Sequence, residues 1–434
     1  MKYSRRLLAV AAVAAVAALA GCTGGGGTQS SSNGNQSSSN GKPSGTLTGI
    51  YDAADKAWMD KIVADFEKQY PGVKVNMTYT STGNPASVVS AQLQAGTAPD
   101  VFLTFPGGVP KAGGEFNVVP LASLDRIQPA TGSWTNSIPA IWKEDVSYEG
   151  KVYSTPGAVQ GLGAIYNATE MATLGLKVPT TLDEVYALCS AAKAKGVYAY
   201  AQGLGDANVG PQMLSFAQSA TLVYGPDPKF TQEQLDKKAT FQSNTGWLTQ
   251  FQIYKTMFTD GCFGEGALGR TRQQGFDAVA AGKALGAVDV GAALGTMQKA
   301  APSSKFEFEP MPATNSASDT YAPVLTNYVM VINAKAKNPV AANAWLSFLA
   351  TPEITNIYAN GLSGVPAVPN SQYTAPAELK GLSDLLSSGK FTKLPSWPNS
   401  DVQVTLNQVV QSMLLDRDTP KSALEKMQTA FNGS

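Results

Sequence analysis

The chain contains no histidine, which removes Ser-His-Asp and Cys-His nucleophilic schemes and most zinc sites. Acidic residues are plentiful, but no pair stands in a recognisable setting for glycoside cleavage, which needs two carboxyl groups about 5–10 Å apart. Gly282-Lys283-Ala284 lacks the Ser or Thr of a phosphate-binding loop, and Gly203-Leu204-Gly205 lacks the rest of a dinucleotide fingerprint. Recognition of a ligand is the other class to weigh. Polar and aromatic residues gather where strands are expected to end: Tyr51-Asp52, Ser81-Thr82, Thr104-Phe105, then Gln202 with Asp206, and Asp289 with Gly291. Such a set suits a sugar, whose hydroxyls line the ring edge and whose C–H groups cover its faces. Asp52 would serve equally as a helix N-cap, and Phe105 equally as buried packing.

The six tryptophans sort by setting. Trp58, Trp247 and Trp345 lie on helical apolar stripes and are expected in cores. Trp134 and Trp142 stand in irregular stretches and are candidates for lining a cleft. Trp397, in Leu394-Pro395-Ser396-Trp397-Pro398, has no periodic reason to be buried and is the first choice for stacking on a ligand, ahead of Tyr328 and Tyr358.

The elements that must position these groups alternate strand and helix. Thr46 to Tyr51 reads as a strand; Trp58, Met59, Ile62, Val63 and Phe66 recur at helical spacing after Asp55; Val73, Val75, Met77 and Tyr79 alternate as in a half-buried strand. Asn84-Pro85 starts a helix that stops near Gly96, and Asp100 to Phe105 is a third strand. This β-α-β-α-β order predicts a parallel sheet covered by helices. Further on, Thr181 and Glu184 have capping-box spacing, Val197 to Ala201 and Ala284 to Val290 read as strands, and Val324 to Ile332 is β-rich. Asn338-Pro339, Thr351-Pro352 and Thr419-Pro420 each start a helix. The class is α/β, in two lobes, with interruptions at 302–323 and 363–400.

Ahead of this body, Lys2, Arg5 and Arg6 precede an Ala/Val/Leu run from Leu7 to Ala20 that is too short for a permanent membrane span and reads as an export signal. Leu19-Ala20-Gly21-Cys22 resembles the bacterial lipobox, which implies cleavage before Cys22 and acylation of its thiol; the alternative is an ordinary signal with a chance cysteine. Residues 23–45 offer no apolar side chain to a core and are expected to form a disordered tether with a reach of roughly 25 Å. Removing the three leader charges leaves 29 basic against 32 acidic residues, a net of −3. No basic block is left, which argues against a nucleic-acid partner. In an oxidising compartment Cys189 and Cys262 can form a disulfide; two buried free thiols are the alternative, because spacing does not say whether their Cβ atoms meet.

Several stretches resemble family 1 of the extracellular solute-binding proteins, the carbohydrate group that includes the maltose-binding protein. They are Trp58 to Val75, Ala95 to Phe102 (AGTAPDVF), Gly150 to Asn167 (GKVYSTPGAVQGLGAIYN), Phe276 to Gly291, and Ala341 to Pro369 with SGVPAVP. Their order along the chain is more specific than any one of them. The resemblance implies a two-lobe, periplasmic-binding-protein-like fold of type II with discontinuous lobes, residues 46–157 plus 325–369 and 158–324 plus 370–434. It further implies hinge closure on a small solute, a permease partner in an ABC importer, and no enzymatic activity. Gln160 falls where relatives place a ligand-contacting polar side chain; a hinge hydrogen bond is the other reading. Around Asp289-Val290-Gly291 the chain lacks the tryptophan many relatives carry, which weakens the case for a long oligosaccharide. No cofactor or metal is expected, and the protein is expected to be a monomer at the outer face of the membrane, held by its N-terminal lipid. The rival reading is a surface-anchored carbohydrate hydrolase, or a receptor for a peptide or polyol.

Overall fold

Apolar residues at alternate positions, then an apolar end, make Gly45–Asp52 a strand (β1) that dives from solvent into a core. In the computed structural model, which describes residues 41–80, 85–108, 110, 116–207 and 209–433, this strand pairs in parallel with β2 (Val73–Thr80), from Gly45 opposite Val73 to Asp52 opposite Thr80. Cys22, Ser81 and Thr82 lie outside the described residues.

Between the two strands runs the helix Lys56–Gln69. It buries Met59, Ile62 and Phe66, one face of a 3.6-residue period. Phe66 meets Trp345 and Phe348 of the helix Pro339–Leu349 edge to face, with centroids 5.0 and 5.3 Å apart. After the helix Pro85–Ala95 the chain enters β3 (Val101–Thr104), whose four residues are buried and which runs parallel to β1. A short strand β4 (Ile127–Gln128) and a small hairpin of β5 (Ser147–Tyr148) and β6 (Lys151–Val152) follow.

The chain then passes into a second sheet through β7 (Ala158–Asn167), with all ten residues buried. Covered on both faces, it shows no alternation, so the sequence gives it no strand-like period. Around it gather β8 (Tyr198–Tyr200), β9 (Ala284–Val290), β10 (Phe306–Glu309), β11 (Ala322–Thr326), β13 (Val365–Pro366) and β14 (Phe391–Lys393). The strand β12 (Val329–Asn333) belongs to the first sheet, antiparallel to β3. The two sheets therefore read β2-β1-β3-β12-β4 and β14-β11-β7-β9-β8, with β10 and β13 also on β7.

The single β-rich stretch expected at 324–332 is two strands in different sheets, divided at Asn327-Tyr328. The change of sheet falls two residues after position 325, because Leu325 and Thr326 still pair with Gln160 and Val159. Helices Thr245–Thr259, Asp401–Leu414 and Pro420–Phe431 build the core of the second half around Trp247, Phe251, Leu406 and Met427. Among the described residues, the helices Val118–Ser123, Ala140–Lys143, Ala168–Thr173, Gly210–Ser219, Phe230–Leu235, Ala292–Ala300 and Lys380–Ser388 carry no clear signal in the sequence. Gly210–Ser219 is buried throughout and has no polar face to reveal its period. The last one occupies part of the expected 363–400 interruption.

Thr181 caps the helix Leu182–Ala194 with a complete capping box. Cys189 of that helix is joined to Cys262 by a disulfide, with Cα atoms 4.8 Å apart. No described helix is long and apolar enough to cross a membrane.

Candidate functional site

In parallel α/β sheets the loops beyond the strands' carboxyl ends are where ligands sit. In the first sheet β1 and β3 end at Asp52 and Thr104, and an aromatic cluster surrounds them. Tyr51 lies 5.5 Å from Trp58 and 6.5 Å from Tyr328, ring to ring; Trp58 lies 5.0 Å from Tyr358; and Tyr328 lies 4.8 Å from Phe105 at 48°. Tyr358 donates its only hydroxyl proton to the Tyr328 carbonyl, so in the 2.6 Å contact between Tyr51 and Tyr358 the donor is Tyr51. Two buried hydroxyls thus fix the Tyr328 backbone where the chain changes sheets. Phe105 leaves 39% of its surface exposed, the open end of the cluster.

Charge is placed beside these rings. Asp52 accepts a 2.9 Å hydrogen bond from the Ala54 backbone, as an N-cap. Asp55, three residues on, accepts a 3.3 Å bond from the Trp58 indole. Burial and then the neighbouring Asp52 carboxylate push Asp55 up to about 6, against smaller opposing contributions from that indole and from Lys299. Burial, then Asp52 and Asp55, push the Tyr328 phenol up to about 12. Lys299 stands at the end of the helix Ala292–Ala300 that follows β9, so its field reaches Asp55 from the second half of the molecule.

The other expected contacts are engaged by the protein. Thr104 is fully buried and donates to the Phe116 carbonyl at 2.8 Å. Gln160 donates to the Leu362 carbonyl and accepts from Asn327 at 3.1 Å, linking β7 to two of the segments where the chain crosses between sheets. Both ends of its amide are thus engaged by the protein. Gln202 bridges to both backbone groups of Val288, at 3.1 and 3.2 Å, and to the Gly210 carbonyl.

Asp289 is 2% exposed and forms a two-pronged ion pair with Arg272, one arm at 2.9 Å. Asp206 accepts from the Arg272 backbone at 2.6 Å. Gly291 lies so close to the Ser363 carbonyl that a Cβ would stand 2.8 Å from it. Trp397 is half-buried against Phe216, Phe241 and Trp247, at 5.6, 5.9 and 6.3 Å, with its indole nitrogen shielded. Tertiary packing, invisible to periodicity, turns its polar edge inward. Trp134 donates to Ser347 at 3.2 Å, and Trp142 is buried.

The family model for bacterial extracellular solute-binding proteins matches residues 52–356. The chain belongs to that family. This solute-binding protein is 25% identical over 452 residues to an ABC transporter extracellular-binding protein of Pyrococcus horikoshii, covering 98% of the present chain and 95% of the relative. A multiple sugar-binding protein of Streptococcus mutans is 32% identical over 144 residues, 32% of this chain and 31% of that one. The fold matches the solute-binding protein RafE in complex with raffinose at a TM-score of 0.74 and 19% identity, across 90% of this chain and 99% of that one.

Three residues beside the expected contacts escape sequence reasoning. Trp58 reads as core from its stripe but is only half-buried, with its indole turned to Asp55. Arg272 is the counter-ion of Asp289; the capping box of Thr271 and Gln274 marks its helix start but not its partner. Asp55 stands at the N-cap position of the helix Lys56–Gln69, yet makes no side-chain capping bond.

Proposed function

We propose that this protein is the lipid-anchored receptor of an ABC importer, which captures a sugar or oligosaccharide between its lobes and delivers it to a membrane permease. The observation that carries the reading is the partly exposed aromatic pair Phe105 and Tyr328 beside the Asp52 and Asp55 carboxylates, at the strand ends of the first lobe. A sugar face would stack on the rings while its hydroxyls donate to the carboxylates. The two lobes would be residues 46–157 with 325–369 and residues 158–324 with 370–434, adjusted at Asn327-Tyr328. Gln160, Asn327 and the Leu362 carbonyl would form the hinge contact. Raffinose in RafE and the sugar-binding name of the streptococcal relative support the choice of solute class.

The protein would act outside the cell, as a monomer without cofactor or turnover, held by acyl chains on Cys22. The test is a thermal-shift screen of the purified protein against sugars, polyols and peptides, with product analysis of each mixture. A ligand that binds only the folded state raises the melting midpoint. A sugar that does so and is recovered intact supports the reading; hydrolysis of the sugar, or a shift only with peptides, contradicts it.

A further inference from the structure

At the end of the first sheet opposite the strand tips, Arg126, Lys335 and Lys337 line one pocket of about 130 Å³ with Leu93, Leu124 and Asp125. Backbone contacts hold the three cations together. Ala334 donates to the Arg126 carbonyl at 3.0 Å, Lys335 to the Asn333 side chain at 2.9 Å, and Lys337 to Asp100 at 2.6 Å. The ion pairs among the described residues are made by other lysines and by Arg272, so the charged side-chain ends of these three have no ion-pair partner there. Beside them Leu124 is 43% exposed.

Asn338, next to Lys337, donates to the carbonyls of Ser44 and Thr46 at 2.8 and 3.1 Å. The chain therefore joins the folded body at this cluster, and exposed Lys42 adds a fourth cation two residues before Ser44.

We infer that this face docks on an anionic phospholipid surface and holds the first lobe against the membrane. The inference rests on the lipid-anchor reading for the side from which the membrane approaches. A polar linker of the length of residues 23–45 reaches roughly 25 Å, whereas charge is screened beyond about 8 Å at physiological salt. Tethering alone would leave the body free to tumble; the basic cluster at the foot of the tether is the part of the body held nearest the headgroups. Each Lys or Arg close to an anionic leaflet strengthens binding about fivefold. Asp125 and Asp100 offset two of the four, which leaves an attraction on the order of twenty- to thirtyfold. Leu124 can enter the headgroup boundary as the apolar partner of the cations.

The test uses a chain starting at residue 23, without leader or lipid, since the four hydrophobic cores lie within residues 41–434. It is sedimented with vesicles of phosphatidylglycerol and phosphatidylcholine, and with pure phosphatidylcholine. The expected result is at least tenfold stronger partition onto the anionic vesicles, abolished by high salt. The triple variant Arg126→Glu, Lys335→Glu, Lys337→Glu should lose it at least tenfold while still melting cooperatively at the parent's midpoint. Equal partition onto both vesicles, or unchanged partition of the variant, overturns the inference. The anchor is tested separately, by the mass of the full-length chain recovered from membranes and by its loss from them in Cys22→Ser.

Discussion

The rings of Phe105 and Tyr328, 4.8 Å apart, join the end of β3 to the point where the chain returns from the second sheet to the first. The aromatic pair thus adjoins the change of sheet, and relative movement of the sheets would alter what lies opposite it. Phe105→Ala should weaken binding of the solute found in the screen by about tenfold or more, with stability nearly unchanged because the ring is 39% exposed. Calorimetric affinity and melting midpoint, measured together, check both halves of this statement.

Asp55 titrates at about 6 in the folded protein against an ordinary 3.8. Between those values the folded chain holds more protons than the unfolded chain, so this carboxyl's contribution to stability falls as pH rises through the window. Asp55→Asn should flatten that slope and raise the midpoint at pH 7 by about 1–3 °C. It should also weaken solute binding, since a carboxylate accepting from sugar hydroxyls is lost. Melting curves from pH 4 to pH 7 for the two proteins decide the matter.

The Asp289 carboxylate is buried and held by Arg272. Removing the arginine leaves an uncompensated buried charge, at a cost of about 3–5 kcal/mol. Arg272→Ala is therefore expected to be much more destabilising than the double variant Arg272→Ala, Asp289→Asn. Urea unfolding would show the two variants equally stable if the pair were merely a surface contact.

Trp397 packs on Phe216, Phe241 and Trp247. Trp397→Ala should thus cost about 3 kcal/mol of stability, and any loss of affinity should be smaller than that of Phe105→Ala. A large loss of affinity at unchanged stability would return this indole to the role of ligand platform.

Much of the first lobe was legible because its elements are amphipathic: β2 alternates, the helix Lys56–Gln69 keeps one buried stripe, and Asn338 with Pro339 marks a helix start that the structure shows capped on Ala341. β7 and the helix Gly210–Ser219 were not legible as elements, because burial on all sides erases periodicity. At the candidate site, Asp52 and Phe105 could be picked from the ends of strands. Gln202 and Asp289 could be picked as polar residues near strand ends, but not as groups engaged internally, since their partners Val288 and Arg272 are distant in sequence. Trp58 was masked by its own helical stripe.

The most direct test is calorimetric titration of the protein with raffinose, followed by a panel of other neutral oligosaccharides, each repeated on Phe105→Ala. Saturable one-to-one binding of at least one sugar, weakened about tenfold or more by the substitution, is the predicted result. Absence of heat with every sugar, or identical isotherms for the two proteins, would contradict a sugar site at the Phe105 and Tyr328 rings.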